Sequence, residues 1–596
     1  MPDKIIVENI LIDTVRVYGF RSLLDVTVSL DRFTLLTGMN NAGKTSFLRA
    51  LNLALGVDRR TVDTDDFHAG KQDGKSTNAQ TIVIDVRIVP VDGDGKRTEN
   101  FSNEWKGSEL GTIVRFDGKE AFVGIRTRVA FDDARNEYAL KRYSLKLWRD
   151  GVAWHEPDDA VESVFTGRLD HLAAFYMNAQ RDLVADLRNR ASYFGKMLAH
   201  VTFGDSEAAW ETQLAKLNDE IVTASPELGH LSGELKNLRR PMGDDGCEVT
   251  LTPLTRKLKD LLKGVNVEVQ DRDGEPFTLD HLGMGTRSWA ALMAYRAYVS
   301  WIMKQTQESE GLPYHPVLAL EEPEAHLHPN AQRQLCAQMA DMPGQLIVST
   351  HSPYIAALAE LGSIRHFTKS GSASRVRQID LSALESEDVR RIRRDVMNTR
   401  GELLFARAIV LFEGETEEQA LPIFAKEYFG QPTFALGVVM VGVGSCNNYK
   451  AFLRLADGMG IPWLVFSDAE ADVKPKVEMQ IKDVQGGKAI FLPNDQDFEA
   501  YLLGTGYDDC VRAAFVTLAL PLDAHEKHRA AKEKEAEGKS VADLEQWLDS
   551  NKTQAAPKVA ERIVGLEDEA RRIPPKVKEL FDELAMILKL PRKWVF

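Results

Sequence analysis

The sequence predicts an α/β protein built around two parallel sheets, one in each part of the chain. A short apolar run at 33–36 leads through a glycine-rich loop into an amphipathic helix, and from about residue 405 strands and helices alternate. The chain of 596 residues is also longer than one hydrophobic core usually serves. We therefore expect two or more domains.

The composition is that of a globular protein, with 44% hydrophobic and 27% charged residues. The cysteines are far apart, the N-terminus lacks a signal-peptide core, and no apolar run approaches about 18 residues. We therefore expect a cytoplasmic protein that does not enter a membrane. The formal charge of −15 argues against a protein that coats nucleic acid, but it is compatible with focused, metal-dependent binding in a local basic groove.

The strongest local pattern is "FTLLTGMNNAGKTSFLRALNLAL", in which a strand, a glycine-rich loop and a helix follow one another. This is the context that a phosphate-binding P-loop requires. Lys44 is expected to reach the β- and γ-phosphates of ATP, and the Thr45 hydroxyl is expected to bind Mg²⁺. The remaining nucleotide-binding residues predicted for this loop are Asn40, Asn41, Gly43 and Ser46.

Two further strands deliver polar residues to the same sheet edge. Val317 to Leu320 predicts a buried strand with Glu321 and Glu322 at its carboxyl end, where ligands bind in open α/β sheets. We expect Glu321 to hold the Mg²⁺ shell and Glu322 to orient the attacking water. The strand at 345–348 leads to His351, which alone would more often be a bystander, but which we interpret here as a γ-phosphate sensor.

Taken together, these motifs resemble an ATP-binding-cassette (ABC)-type ATPase head of the branch that includes RecF, Rad50 and SMC proteins. The resemblance makes His351 the switch histidine, Gln180 in "MNAQRD" the Q-loop, and Gly283 in "LGMGTRS" part of a degenerate signature motif. Glu321 stands where many of these ATPases have aspartate, which implies slow or conditional hydrolysis. Two such heads enclose nucleotide, so the resemblance also implies a homodimer or a higher homo-oligomer.

The sequence between these motifs predicts a β-rich lobe and a short helical insertion. Residues 80–150 alternate apolar and polar side chains, with turns at "DGDG" and "FDGK", as is typical of antiparallel strands. Residues 183–262 contain helical stretches but lack the long heptad array of an SMC-type arm. We therefore predict a compact ABC-type ATPase domain over residues 1–400.

The C-terminal part contains four predicted strands, three of which lead into acids, in "VLFEGETEE", "LVFSDAEAD" and "IFLPNDQDFE". In a parallel sheet the carboxyl strand ends share one edge, so Glu413, Asp468 and Glu499 are expected to meet there. Clustered carboxylates repel one another unless a cation neutralises them, and their hard oxygens suit Mg²⁺ or Mn²⁺. For Glu415 and Glu418, a solvated helix start favoured by the helix dipole is the better interpretation.

The acidic pattern "EGETE" followed by "DAE" resembles the Toprim domain of topoisomerases, primases and some nucleases. An ABC-type ATPase followed by Toprim is the architecture of the OLD (overcoming lysogenisation defect) family, and the resemblance covers essentially the whole chain. It implies metal ligands at Glu413 and Glu417, at Asp468 and Glu470, and at Glu499. Because Glu470 stands where the family pattern has aspartate and Asp472 lies two residues beyond, the exact ligand set stays open.

The family resemblance implies a two-metal DNA endonuclease that is regulated by ATP, with the Toprim domain and a C-terminal helical segment over residues 405–596. It also implies a lysine for transition-state charge. Lys558 is the first candidate and Lys552 the second, although a lone lysine is more often a solvated charge. Family members act in anti-phage defence, often with a co-encoded protein partner.

Three alternatives remain open. A DNA-repair or clamp-type ATPase with a vestigial Toprim site would hydrolyse ATP and bind DNA without cleaving it. A topoisomerase-like enzyme would form a covalent DNA–tyrosine intermediate, but it needs a further domain for which the chain has no obvious room. A primase would need accessory modules that are not visible in the sequence. The sequence also does not distinguish duplex, nicked or single-stranded DNA from transfer RNA as the substrate.

Overall fold

The computed structural model describes residues 10–56, 62–72, 75–76, 78–151, 153–158, 162–181, 201, 204–236, 253–254, 268–269, 277–278, 281–520 and 525–590. Much of the predicted helical insertion at 183–262 therefore lies outside the described residues. Its described part contains two consecutive helices, Glu207–Ala224 and Pro226–Lys236.

The strands of the three main sheets are, in chain order, β1 Ile10–Phe20, β2 Leu23–Ser29, β3 Phe33–Gly38, β4 Ile82–Pro90, β5 Arg115–Asp117, β6 Glu120–Asp132, β7 Glu137–Leu145, β8 Glu162–Val164, β9 Leu172–Met177, β10 His315–Glu321, β11 Gln345–Ser349, β12 Ile364–Ser370, β13 Ala373–Arg377, β14 Ala408–Phe412, β15 Val438–Gly442, β16 Trp463–Ser467 and β17 Gly487–Phe491.

The α-helices are α1 Lys44–Leu55, α2 Asn103–Gly107, α3 Glu207–Ala224, α4 Pro226–Lys236, α5 Met284–Glu310, α6 Pro329–Ala340, α7 Pro353–Leu358, α8 Ser386–Arg391, α9 Asn398–Arg400, α10 Glu415–Phe429, α11 Tyr449–Met459, α12 Lys474–Ile481, α13 Phe498–Gly504, α14 Asp508–Ala519, α15 Glu526–Gly538, α16 Val541–Ser550, α17 Lys552–Val564 and α18 Pro575–Leu588. Among the described helices, none combines the length and the apolar character that a membrane span needs.

The β-rich lobe is an antiparallel sheet with the strand order β8-β7-β6-β4-β1-β2, and β5 pairs with β6. The alternating stretches at 80–150 form β4, β6 and β7, so the prediction of antiparallel strands is confirmed. The side chains of β4 are almost all buried because both faces of the sheet are covered. On one face Asp85 is buried between Arg16 at 3.2 Å and Arg126 at 2.7 Å.

The sheet of the nucleotide-binding part has the order β9-β10-β11-β3-β12-β13. All neighbours except β12 and β13 run parallel. The carboxyl ends of β3, β10 and β11 therefore lie side by side at one edge, as the sequence predicts. This edge carries the P-loop, the acid pair and His351. The α/β class with an ABC-type head is confirmed.

The second parallel sheet has the order β15-β14-β16-β17, and all its strands run in the same direction. Its carboxyl edge receives the acids that follow β14 and β16. The helices α13, α14, α16, α17 and α18 contribute side chains to the same hydrophobic core as this sheet. This is the predicted Toprim sheet with its C-terminal helical segment.

The two sheets are joined by a helical segment at residues 386–405, which we call the connector. It consists of α8, a π-helix at Ile392–Met397, α9 and a 3₁₀ turn at Gly401–Phe405. Its apolar side chains, such as Leu403, belong to one buried cluster that includes Val348 of β11 and Phe452 of α11. The domain limits at 400 and 405 stay a prediction, since the core is continuous across them.

Candidate active site

The P-loop owes its shape to glycines at both ends. Gly38 ends β3 with a φ of 120°, and Gly43 precedes α1 with a φ of 110°. A Cβ at either position would collide with neighbouring atoms of the segment 367–374. Lys44 folds back over the loop, and its Nζ donates to the carbonyl oxygens of Gly38 at 2.6 Å and Met39 at 2.9 Å. A loop of this kind directs its amides inward and is suited to phosphate.

The charge of Lys44 is held close to three acids. Burial lowers the pKa of Lys44 to about 8, against the opposing effect of Glu322, Glu324 and Glu321. Lys44 thus carries a positive charge inside a largely enclosed site, where a phosphate would meet it with little screening. The contact of Lys44 with the β- and γ-phosphates stays a prediction.

Glu321 is held by partners on three sides. The Thr45 hydroxyl bonds to one of its carboxylate oxygens, and the Tyr176 hydroxyl donates to the other at 2.5 Å. Arg181 holds the main chain at the same strand end, because its guanidinium donates to the carbonyl oxygens of Glu321 at 2.9 Å and Glu322 at 3.0 Å. Thr45 and Glu321, both predicted to contact the Mg²⁺ of the nucleotide, are therefore adjacent.

Glu322 and His351 face each other across the mouth of the P-loop. The Nε2 of His351 lies 3.7 Å from Oε1 of Glu322. Burial and the nearby Lys44 cation lower the pKa of His351 to about 4, so the imidazole is neutral at pH 7. Glu322 itself has a φ of 42°, a conformation that costs energy for a non-glycine residue. The backbone thus holds this carboxylate at the strand end.

These groups line a cavity of about 520 Å³. The lining residues are Arg21, Asn40, Asn41, Ala42, Gly43, Lys44, Thr45, Ser46, Glu322, Ser349 and His351. Gln180 and Gly283 are not among the described lining residues. Gln180 is exposed beside Arg181, and Gly283 directly precedes α5. Their nucleotide-binding roles stay predictions.

The second site lies at the carboxyl edge of the β14–β16 sheet. Glu413 follows β14, Asp468 follows β16, and the Ser467 hydroxyl donates to Glu413 at 2.8 Å. Glu417, on the first turn of α10, is 3% exposed. The exposed Glu470 raises the pKa values of Glu413 and Asp468 through its charge, although burial contributes more. The structure therefore brings the four acids of the two predicted motifs together.

These carboxylates crowd one another. Burial, followed by the charge of Asp468, raises the pKa of Glu417 to about 8. Burial, followed by the charge of Glu413, raises the pKa of Asp468 to about 7. The Oδ1 of Asp468 is buried and has no hydrogen-bond partner among the described residues. A cation at this place would relieve the repulsion and occupy the free oxygen.

A second group of acids adjoins the first. One carboxylate oxygen from each of Asp497, Glu499 and Asp549 lies within 4.8 Å of the others. The Thr416 hydroxyl, from the start of α10, donates to Glu499 at 2.6 Å, and the charges of Asp497 and Glu499 both raise the pKa of Asp468. The two groups therefore lie close enough to interact electrostatically. Both groups offer only carboxylate oxygens as ligand atoms, and these suit Mg²⁺ or Mn²⁺.

The two candidate lysines lie in different surroundings. Lys552, the first residue of α17, places its Nζ 3.0 Å from Glu499 and 3.2 Å from Asp549. Lys558, further along the same helix, instead pairs with Glu561 at 2.8 Å, and its side chain is 42% exposed. The geometry thus favours Lys552, the second candidate, over Lys558, whose role stays a prediction.

Family models match three stretches of the chain. Residues 11–114 match an "AAA ATPase domain", and residues 142–357 match an "AAA domain, putative AbiEii toxin, Type IV TA system". Residues 404–469 match the "Overcoming lysogenization defect protein-like, TOPRIM domain".

Curated relatives are similar over most of their length. The OLD nuclease of Thermus scotoductus is 25% identical over 518 residues, which cover 80% of this chain and 86% of that protein. The Old nuclease of Escherichia phage P2 is 23% identical over 490 residues, 77% of each chain. Endonuclease GajA of Bacillus cereus is 22% identical over 477 residues, 78% of this chain and 75% of that one. Over most of its length this chain is similar to OLD nucleases, and its residues 404–469 match the OLD-like TOPRIM model. It carries both parts of an ATPase-linked nuclease.

Several side chains at the two sites of this protein were not predicted from the sequence. Asp497 lies in the quoted stretch "NDQDFE" and Arg181 directly follows Gln180, so a wider reading of both motifs would have included them. Tyr176 directly precedes "MNAQRD", and Glu324 follows Glu322 by two residues. Asp549 carries no distinguishing signal, because only the packing of α16 brings it to the acids of the second sheet.

Proposed function

We propose that this protein is a divalent-metal-dependent DNA endonuclease whose activity is regulated by ATP. The observation that carries the proposal is the pairing of two sites in one chain that is similar to OLD nucleases. The P-loop, an acid pair and a neutral histidine lie together at the carboxyl edge of the first sheet. The same edge of the second sheet gathers two groups of carboxylates beside Lys552. Sites of the second kind suit phosphodiester hydrolysis, and sites of the first kind suit nucleotide binding.

The residues of the Toprim edge fit a pair of divalent cations. The free buried oxygen of Asp468 and the close approach of Asp497, Glu499 and Asp549 support this fit. The first cation would be held by the motif acids Glu413, Glu417, Asp468 and Glu470, and the second by Asp497, Glu499 and Asp549. Bound divalent cations would supply an activated water and stabilise the leaving oxygen.

The protein's own groups then do the positioning. Ser467 holds Glu413 in place through its hydrogen bond of 2.8 Å. Lys552 carries a positive charge beside Glu499, since its two carboxylate partners raise its pKa although burial opposes them. We assign Lys552 to stabilising the negative charge that develops on the phosphate oxygens.

The contacts of the connector support regulation by ATP. The ring of His351 lies 6.0 Å from the ring of Phe405, centre to centre. Phe405 precedes β14 by three residues, and β14 ends at Glu413. Phosphodiester hydrolysis is already downhill, so nucleotide at the first site would act by biasing the conformation of the second. We propose that it does so through this route.

The family resemblance supports two further parts of the proposal. Gly283 precedes α5 and is not among the described residues that line the cavity. Because the signature motif of ABC-type heads meets the nucleotide of a second copy, the resemblance leads us to propose a homo-oligomer. We also propose a role in anti-phage defence, together with a co-encoded protein partner.

Cleavage of supercoiled plasmid in Mg²⁺ or Mn²⁺, with and without ATP, tests the nuclease. Wild type is expected to nick or linearise the plasmid, and Glu413→Ala is expected to be inactive. Lys44→Ala should change only the response to ATP. Glu415→Ala is the matched control, because this acid is exposed at the start of α10. If wild type binds DNA and hydrolyses ATP but does not cleave DNA, the clamp-type ATPase with a vestigial Toprim site replaces the proposal.

A further inference from the structure

The turn that carries His351 is held by hydrogen bonds to a carboxylate that follows the neighbouring strand, β10. Oε1 of Glu324 accepts hydrogen bonds from the Thr350 hydroxyl at 2.7 Å, from the His351 amide at 2.6 Å and from the Ser352 amide at 3.1 Å. Glu324 follows β10, whereas the turn follows β11. One side chain therefore links the two strand ends that supply Glu322 and His351.

The surroundings of Glu324 make this link difficult to replace. Its second oxygen, Oε2, is buried and has no hydrogen-bond partner among the described residues. Burial raises the pKa of Glu324, and the hydrogen bonds from the turn oppose that effect. Removing the carboxylate would leave two buried amides and a hydroxyl without their acceptor, which is a larger change than losing a solvated contact.

The remaining contacts hold the same turn in register. The Ser352 hydroxyl donates to Gln332 of α6 at 2.6 Å and caps α7 by accepting from the Tyr354 and Ile355 amides. The Glu322 amide donates to the carbonyl oxygen of Ser349 at 2.9 Å. With its backbone held in this way, His351 can adjust only through its side-chain torsions.

We propose that Glu324 is a positioning residue for ATP hydrolysis, which holds the main chain of the His351 turn so that the imidazole and the Glu322 carboxylate face the P-loop together. The proposal rests on the ATPase part of the proposed function. Glu324 touches the turn and not the nucleotide cavity, whose described lining it does not join. Its hydrogen bonds to the turn are therefore expected to act on turnover, and its charge, which also acts on Lys44, is removed equally in Glu324→Ala and Glu324→Gln.

ATP hydrolysis by the full-length protein tests this role. Glu324→Ala is expected to lower kcat on the order of 100-fold, because small misplacements of catalytic groups have effects of that size, while the KM for ATP stays nearly unchanged. Glu324→Gln keeps the Oε1 acceptor and is expected to restore most of the turnover. The matched control is Glu109→Ala, since Glu109 likewise accepts a backbone amide, that of His171 at 2.9 Å, at the opposite end of β9.

Hydrogen exchange of the backbone amides provides a second measurement that needs no turnover. Peptides covering 348–356 are expected to exchange faster in Glu324→Ala than in wild type, and Glu324→Gln and Glu109→Ala are expected to exchange like wild type. If wild type hydrolyses no ATP, the ATPase part of the proposed function fails, and the exchange result alone decides whether Glu324 holds the turn.

Four results would overturn the proposal. They are unchanged kcat in Glu324→Ala, a loss that appears in KM instead of kcat, equal impairment of Glu324→Gln and Glu324→Ala, and unchanged amide exchange at the turn. Equal losses in Glu324→Ala and Glu109→Ala would assign the effect to general destabilisation of the sheet.

Discussion

The carboxyl edges of the two parallel sheets are built in the same way but differ in how their acids are neutralised. At the nucleotide edge, protein donors hold the acids: Thr45 and Tyr176 bond to Glu321, and three donors of the His351 turn bond to Glu324. At the Toprim edge Glu413 and Glu499 have protein donors, but Glu417 and Asp468 crowd each other. Burial, followed by the charge of Asp468, raises the pKa of Glu417 to about 8. The first edge is therefore preorganised by its own chain, whereas under the proposed function the second would need cations to neutralise its acids.

The largest expected effect is on DNA cleavage, when an acid of the Toprim site is replaced. Asp468→Asn removes one charge from the most crowded position and is expected to lower DNA cleavage by more than about 100-fold, since even outer partners of metal ligands are worth up to that much. ATP hydrolysis should continue. Plasmid cleavage and phosphate release, measured on the same preparation, check both parts.

Asp472→Asn is the control for this substitution, because Asp472 is exposed and pairs with Lys476 at 2.8 Å. Cleavage by Asp468→Asn at the wild-type rate would remove Asp468 from the ligand set.

The second effect separates the two lysines. Lys552→Ala is expected to lower kcat for DNA cleavage by roughly 10²-fold, since it removes a positive charge that is held beside Glu499 and Asp549, two of the proposed metal ligands. Lys558→Ala should cleave normally because its ammonium pairs with Glu561 at 2.8 Å on the helix surface. Single-turnover cleavage at saturating Mg²⁺ compares the two. The reverse order of effects would restore Lys558 as the catalytic lysine.

The third prediction concerns the nucleotide site, where Tyr176 holds Glu321. Tyr176→Phe removes the donor that holds Glu321 at 2.5 Å and is expected to lower ATP hydrolysis by about 10-fold and to raise the Mg²⁺ concentration needed for half-maximal turnover. A Mg²⁺ titration at fixed ATP measures both quantities. Tyr138→Phe, in the β-rich lobe, is the control. If the Mg²⁺ requirement is unchanged, Tyr176 does not position the Mg²⁺ ligand.

The smallest effect is on stability. Unfolded Glu417 loses its proton near the ordinary pKa of 4.5, whereas the folded chain without metal holds it up to about 8. The folded state therefore loses stability as the pH rises from 4.5 to about 8, and Glu417→Gln removes this loss. We expect Glu417→Gln to melt a few degrees higher than wild type at pH 8, with little difference at pH 4.5.

Thermal melts in a chelator and in excess Mg²⁺ check this prediction. Saturating Mg²⁺ should reduce or reverse the difference, because the metal neutralises the wild-type carboxylate. The exposed Glu418→Gln is the control on the same helix. Equal melting temperatures at pH 8 in chelator would show that Glu417 is not strained by burial.

Local sequence patterns correctly predicted which residues lie at the strand ends. They predicted poorly which other side chains contact those residues. "GMNNAGKTS" and "LALEEPEA" place their residues by strand, loop and helix order alone, and parallel strands bring such ends to one edge. The choice between Gln180 and Arg181 depends on which side chain turns toward β10. The choice between Lys552 and Lys558 depends on how α17 packs, since both lie on one helix six residues apart.

The sequence by itself determined the two parallel sheets, the P-loop and the acids that meet at each edge, because strand periodicity and element order are local properties. Only the tertiary structure decided that Asp549 and Lys552 join the second edge, that Glu324 holds the His351 turn and that the connector shares its core with both sheets. These features depend on contacts between residues far apart in the chain, which local patterns do not encode.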